Sequence, residues 1–284
     1  MKHVFLCAGI VVLYNPSKKV IENIKTYFNH LNFLYIFDNS NKPQDFILDL
    51  VKKNRKIRYI NCRHNKGVGY AYNYVSNIAI EEGYNWLLIM DQDSYFRNDD
   101  FKKIINVLKK DNGYFKKSVG ILCPVIVYEN ENIDLLKRDE FEKILIGINS
   151  GSILNLDAYK KVGNFREDYF LDRTDFEYFL RLNKFGYHTL RYKGAFLYHK
   201  LGNLEIKNIF GFKIRVTHHN HLRHYYMTRN AIDIVKNYFF IFPGHCFYEI
   251  RSIFTDMIKV LLFEKNKLAK IKMILKAIFN SLLI

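Results

Sequence analysis

Trp86-Leu87-Leu88-Ile89-Met90-Asp91-Gln92-Asp93-Ser94 is the stretch on which the fold turns. Five consecutive apolar residues with no polar alternation are what a strand covered on both faces requires. The run stops on two carboxylates separated by one residue. Upstream, the same pattern repeats. Val4–Tyr14 is a continuous apolar run ending in Asn15-Pro16-Ser17. We read it as a buried strand and a turn rather than a signal peptide, because no small-residue cleavage site follows. Val20, Ile21, Ile24, Tyr27, Phe28 and Leu31 then recur at helical spacing, with Ser17 placed to cap them. Phe33–Phe37 reads as a second strand closing on Asp38-Asn39-Ser40, Pro43–Lys53 as a helix, Ile57–Asn61 as a strand and Gly69–Glu82 as a helix. This alternation predicts an α/β fold: a mostly parallel central sheet with helices on both faces. In such sheets ligands bind just beyond the carboxyl ends of the strands, and the polar clusters of this chain fall there. Any one cluster is explained by turn chemistry; several acidic groups on one sheet edge are explained less well by it.

Downstream, roughly 119–200 mixes strands (Val119–Tyr128, Ile146–Leu154, His188–Tyr192) with a helix over about Thr174–Lys184. From His218 the pattern is helical, with apolar stripes running from Phe247 to Leu262 and from Leu268 to Leu282. The whole chain has 284 residues, 49% hydrophobic and 25% charged, which excludes disorder and suits one large domain with or without an appendage. Its four cysteines are far apart, which excludes a zinc ribbon or a disulfide scaffold and points to a reducing compartment. Net charge is +16, and residues 200–284 carry 14 Lys/Arg against 5 Asp/Glu. That excess asks for an anionic partner: nucleic acid, an anionic membrane or a phosphorylated substrate. No uncharged apolar run approaches the ~18–20 residues that span a bilayer.

Several residue sets can carry chemistry. Asp91 and Asp93 can hold a hard divalent cation that bridges a diphosphate, or can simply end a strand. Asn65-Lys66-Gly67-Val68-Gly69 leads into a helix containing Asn73, where glycines admit a ligand to the backbone and a helix N-terminus favours anions. It is neither G-x-G-x-x-G nor a Walker loop, so dinucleotide and Walker readings lose support. Asp172, Asp175 and Glu177 stand at the opening of a helix, where a carboxylate is a cap or a general base. His218, His219, His221 and His224 match no common zinc spacing. Arg223 and Arg229 stand near Tyr225 and Tyr226, and a guanidinium there could hold a diphosphate.

Taken in order, these motifs resemble family 2 glycosyltransferases of the GT-A fold: Ile10–Pro16, Asp38-Asn39-Ser40, Asn65-x-Gly67-Val68-Gly69-x-Ala71-x-Asn73 and Asp91-Gln92-Asp93-Ser94. Met90–Ser94 is similar to the bacterial rhamnosyltransferase branch. So are Asn149-Ser150-Gly151, Asp175-Phe176-Glu177 with Arg181, His199-x-x-Gly202 and Tyr225-Tyr226-x-x-Arg229-Asn230. The resemblance covers about residues 5–235. It implies a nucleotide site of Tyr14, Asn15, Asp38, Asn65, Gly69, Asn73, Asp91 and Arg229, with Asp38 on the nucleobase. It implies a divalent cation, Mg²⁺ or Mn²⁺, at Asp93, Asp91 and His199. It implies Asp175 as catalytic base, with Gly151, Asp172, Glu177 and Tyr225 near the acceptor or donor sugar. Thr174 stands where the family's Glu-Asp motif has Glu, and that leaves Asp172 as a rival base.

The resemblance further implies an inverting transfer from a dTDP- or UDP-linked donor, rhamnose foremost, to a glycan or lipid-linked glycan in surface-polysaccharide assembly. It implies a cytoplasmic enzyme peripheral on the inner face of the bacterial plasma membrane. The expected domains are 1–217, a catalytic domain with a nucleotide half (1–120) and an acceptor half (121–217), and 218–284, a basic amphipathic helical extension. That extension is expected to meet an anionic membrane, or to pack on the domain or a second copy. The competing class, a basic nucleic-acid-binding module, is disfavoured because the excess charge lies outside the acidic strand ends.

Overall fold

The computed structural model describes residues 5–111, 113–128, 138–199, 205–209 and 212–282; Gly202 and Val4 lie outside them. The chain forms two compact units, one of residues 1–167 and 178–200, the other of 168–177 and 201–284.

In the first unit, β1 (Cys7–Leu13), α1 (Lys19–Phe28), β2 (Phe33–Asp38), α2 (Asp45–Lys52), β3 (Ile57–Asn61), α3 (Val68–Glu81) and β4 (Trp86–Asp91) follow in the expected order. After them come β5 (Tyr95–Phe96), α4 (Asp100–Lys109), α5 (Tyr114–Ser118), β6 (Val119–Tyr128), β7 (Phe141–Ile144), β8 (Ser152–Asn155) and α6 (Leu156–Val162). Helix α7 (Thr174–Lys184) begins in the second unit's residues and ends in the first's, and β9 (His188–His199) completes the first. The sheet order is β3-β2-β1-β4-β8-β6-β9-β5, with β7 paired to β9.

The strands β3-β2-β1-β4 are all parallel, as the sequence predicts. Beyond β4 the sheet is mixed: β8 runs antiparallel to β4 and β6, and β5 and β7 run antiparallel to β9. The apolar runs alternate between two cores because successive strand side chains point to opposite faces. Val11, Leu13, Ile36, Leu88 and Met90 pack on one face with α1 and α4 residues such as Ile24 and Phe101. Ile10, Val12, Phe37, Leu87 and Ile89 pack on the other with Ala71 and Val75 of α3 and Phe179 of α7.

Two expectations shift. The strand expected over Ile146–Leu154 is confined to Ser152–Asn155, because Gly151 takes φ +76° and turns the chain into it. Helix α1 begins at Lys19 without a side-chain cap, so Ser17 contributes only its carbonyl, to the Val20 N–H.

The second unit holds the hairpin β10 (Glu205–Ile209) and β11 (Phe212–Val216), then α8 (His221–Tyr238), α9 (Pro243–Phe263) and α10 (Lys267–Leu282). The second unit takes in 201–284 together with 168–177, and among the described residues the hairpin strands pair with each other. Asn220 caps α8 through its side chain, accepting from the Arg223 N–H at 2.8 Å. No helix among the described residues is long and apolar enough to cross a membrane.

Candidate active site

The strand register sets the site. Leu13 lies beside Asp38 and Val12 beside Asp91, so both carboxylates flank the same end of β1. Asp38 is fully buried; its Oδ1 accepts from the Ser40 N–H at 2.8 Å and its Oδ2 from the Tyr59 hydroxyl at 2.7 Å. Burial and this carboxylate push the Tyr59 phenol well up from its ordinary value. Both Asp38 oxygens are thus engaged within the fold, at the carboxyl end of β2. Asn15, at φ 46°, donates its N–H to Ser40 Oγ at 2.7 Å. Tyr14 is half exposed, and its backbone is locked to Gln92: Tyr14 N donates to Gln92 Oε1 at 2.9 Å and Gln92 Nε2 donates to Tyr14 O at 3.2 Å. The residue between the two aspartates therefore ties β1 to β4.

Asp91, Asp93 and His199 offer ligand atoms that all lie within 4.8 Å of one another. Two carboxylates and an imidazole form an oxygen-rich set with one nitrogen, which fits Mn²⁺ or Mg²⁺. Burial pushes the Asp91 carboxyl up to about 6; the Asp93 charge adds to that, while His199 and Ser150 oppose it. A carboxylate in such a place is better satisfied by a cation than by its surroundings alone. A run of hydroxyls links Asp91 to His199: the Asp91 N–H donates to Ser150 Oγ at 3.1 Å, Ser150 Oγ donates to Ser94 Oγ at 2.8 Å, and Ser94 Oγ lies 2.7 Å from His199 Nδ1, which itself stands 3.8 Å from Asp93 Oδ1. Ser94 and Ser150 stand inside the motifs quoted from the sequence, yet no role was expected of them. The only sequence signal is their adjacency to Asp93 and Gly151.

Other expected ligands make contacts within the fold. Asn65 Oδ1 accepts from the Gly67 N–H at 2.8 Å, and this small turn, with Gly67 at φ +83°, starts α3. A Cβ on Gly69 would meet Arg166 O at 2.9 Å, so this glycine lets α3 approach the 165–167 segment. Asn73 spends its whole amide there: Nδ2 donates to Phe165 O at 3.0 Å and Glu167 Oε1 at 2.8 Å. Its Oδ1 accepts from Phe165 N at 2.7 Å and the Tyr159 hydroxyl at 3.2 Å. Two donors and two lone pairs are an amide's full capacity, so nothing remains for a nucleotide. Gly151 donates to Ile89 O at 2.8 Å, and a Cβ on it would meet Leu197 Cδ2 at 2.7 Å, so packing explains it without a sugar.

The second unit holds the remaining expected residues. Asp175 stands in the first turn of α7, and its Oδ1 accepts from the Phe176 N–H at 2.9 Å. Asp172 and Arg173 precede it, both left-handed, at φ 60° and 59°. Both Asp172 oxygens are engaged by the Arg223 guanidinium, at 2.7 and 2.8 Å, a bidentate pair. Asn230 Nδ2 donates to Leu171 O and Asp172 O, each at 2.9 Å. Arg173 Nε donates to Glu249 Oε2 at 2.6 Å in a buried ion pair, and its Nη2 donates to Ser252 Oγ at 2.9 Å. Burial raises the Glu249 carboxyl, but His245 and Arg173 outweigh it and hold it below its usual range. His245 Nε2 lies 3.2 Å from Glu249 Oε1 but off the hydrogen-bonding direction, so that contact is electrostatic only. Glu177 is buried and accepts from the Tyr238 hydroxyl at 2.8 Å. Tyr225 accepts from Asn280 Nδ2 at 3.1 Å, which ties α8 to α10. Arg229 lies 5.0 Å over the Tyr226 ring, donates to Asn230 Oδ1 at 2.9 Å and donates to Asp168 O. Glu177 and Tyr225 thus serve internal contacts.

Residues 10–163 match the family model described as Glycosyl transferase family 2. The chain is 25% identical over 238 residues, 80% of its length and 79% of the relative's, to a dTDP-rhamnosyl transferase RfbF of Shigella flexneri. Among solved structures, GalNAc-T7 with UDP, GalNAc and Mn²⁺ superposes with a TM-score of 0.61 at 10% identity, covering 87% of this chain and half of that one. Residues 1–349 of S. aureus TarS superpose with a TM-score of 0.54 at 14% identity, covering 81% of this chain and 66% of that one. Both likenesses concern the fold.

Proposed function

The chain belongs to glycosyl transferase family 2, and on that premise we propose that it transfers a sugar, with inversion, from a nucleoside-diphosphate donor to a hydroxyl of a glycan or lipid-linked glycan. The observation that carries the reading is the convergence of Asp91, Asp93 and His199 at the end of a core strand whose neighbour ends on Asp38. L-rhamnose from dTDP-rhamnose is the proposed donor. It is supported by the 25% identical Shigella relative and by the Asp-Gln-Asp-Ser motif. Galactose, galactofuranose or an N-acetylhexosamine donor would use the same residues. The proposed setting is bacterial surface-polysaccharide assembly on the cytoplasmic side.

Asp38 would accept hydrogen bonds from the base. Asp91, Asp93 and His199 would hold Mg²⁺ or Mn²⁺, which when bound neutralises charge on the leaving diphosphate. Asp175 would take the proton of the acceptor hydroxyl as its oxygen attacks the anomeric carbon in line, a role worth ~10²–10⁴-fold in rate. Asp175 is preferred to Asp172 because the latter's two oxygens are both held by Arg223. Arg229 would contribute positive charge to the diphosphate from a guanidinium already stacked on Tyr226.

A thermal-shift panel of nucleotide sugars with Mg²⁺ or Mn²⁺ tests the reading. A shift with dTDP-rhamnose and not with UDP-sugars supports both class and donor. A shift with a UDP-sugar alone keeps the class and replaces the donor. No shift with any nucleotide sugar, with or without the cation, refutes it.

A further inference from the structure

Helices α9 and α10 each have a packed face and an uncovered apolar one. On α9, Phe247, Phe254, Ile258 and Leu261 are each more than half exposed and, with exposed Arg251, follow the spacing of one helical stripe. On α10, Leu268, Leu275 and Phe279 do the same, with exposed Lys272 in the stripe, and Leu268 is 89% exposed. At the turn joining α8 to α9, Phe240 is 97% exposed. Burial of Ile274, Ala277 and Val260 gives these helices their packed side, so the exposed stripes are not needed for the internal core. Exposed apolar stripes of this kind, flanked by charge, mark a docking face.

Charge identifies what docks there. The acidic groups on α9 and at the turn into α10 face internal partners: Glu249 faces Arg173, Asp256 faces Lys259, and Glu264 faces Lys270 and His224. Arg251, Lys265, Lys267, Lys272 and Lys276 are exposed and make no ion pair among the described residues. A second copy presenting the same face would bring these cations against one another. A surface that is apolar within and anionic at its rim complements both the stripe and its flanking charges. We propose that α9, α10 and the Phe240 turn dock on an anionic lipid surface, the aromatic and aliphatic side chains entering the headgroup boundary and the five cations meeting lipid phosphates. The inference does not depend on which nucleotide sugar the protein uses.

The test is flotation of the full chain with vesicles of phosphatidylcholine containing phosphatidylglycerol, and with vesicles of phosphatidylcholine alone. The chain co-floats with the first at low salt, less at high salt, and little with the second. Lys272→Glu/Lys276→Glu weakens partitioning by at least roughly fivefold for each cation removed. Phe254→Ser/Ile258→Ser also loses it, with its far-UV circular dichroism unchanged because both positions are exposed. Failure to co-float with the anionic vesicles overturns the proposal, as does flotation that neither variant weakens. A dimer in light scattering that Phe254→Ser/Ile258→Ser splits would assign the face to a second copy and overturn it equally.

Discussion

Glu249→Gln tests what holds the segment that leads into Asp175. The two consecutive left-handed residues, Asp172 at φ 60° and Arg173 at φ 59°, disfavour their own backbone by about 1–2 kcal/mol each. They persist because side chains from α8 and α9 fasten both of them. The buried Arg173–Glu249 pair at 2.6 Å is the strongest of these fastenings. Gln keeps the shape and one acceptor but removes the charge, leaving a buried guanidinium without a counter-ion. Breaking such a pair costs ~3–5 kcal/mol, and the retained acceptor puts the loss near about 3. At a factor of ten per ~1.4 kcal/mol, the opened segment becomes about a hundredfold more populated. Urea unfolding followed by far-UV circular dichroism should show that loss, and hydrogen exchange over 168–177 should quicken. Turnover should fall while affinity for the nucleotide stays. The double variant Arg173→Met/Glu249→Met should regain much of the stability, since no charge is left buried. If Glu249→Gln lies within about 1 kcal/mol of the parent and exchange over 168–177 is unchanged, the pair does not hold the turn and the reasoning fails.

Asp93→Ala should abolish turnover and Mn²⁺ binding, measured by titration calorimetry, while the melting curve stays in place; retained Mn²⁺ affinity would remove Asp93 from the cation set. Asp175→Asn should keep donor binding and lose ~10²-fold or more in kcat, whereas Asp172→Asn should act mainly on stability by loosening Arg223; the reverse pattern would exchange their roles. Asn73→Ala strips four hydrogen bonds from Phe165, Glu167 and Tyr159 and should destabilise by about 2–4 kcal/mol in urea, with nucleotide affinity of the folded protein intact. Burial lowers His219 to about 4, with Arg223 adding to it, and burial lowers His224 too, so the unfolded chain binds protons first. The stability these histidines contribute is complete above their ordinary 6.5 and is lost as pH falls toward about 4. The raised Asp256 and Asp91 carboxyls oppose this, since the folded chain takes up their protons first. Melting temperatures between pH 7.5 and 4.5 should fall, and less steeply in His219→Gln.

The parallel half of the sheet was readable because β1, β2 and β4 are apolar on both faces, and few other structures accept such runs in a chain this charged. The two-residue β5 carries no pattern at all. Phe141-Glu142-Lys143-Ile144 breaks the alternation a strand reader looks for, so β7 went unseen. Asp91, Asp93 and His199 were legible as a set only because a family motif joins residues that a chain-long separation keeps apart. The structural part of Asn73 was not legible for the converse reason. Its position in the motif suggests a ligand, while its true partners, Phe165 and Glu167, lie 92 and 94 residues away. Asp172 and Asp175 look alike in sequence; what distinguishes them is Arg223, 51 residues downstream.

The turn at Asp172–Arg173 also has a history within each molecule. Its fastenings come from Arg223, Glu249 and Ser252, which follow in the chain by 51, 76 and 79 residues. Contacts of such separation form late, since the intervening chain must first be made and brought back. A nascent polypeptide can finish the parallel half of its sheet, with Asp38, Asp91 and Asp93 in place, well before its Asp175 has a settled entrance. Competence for binding a nucleotide would then precede competence for transfer. A chain halted before α8 would hold donor without the charge of Arg229 and would not spend it, because Arg223, Glu249 and Ser252 would not yet be there to settle Asp172 and Arg173.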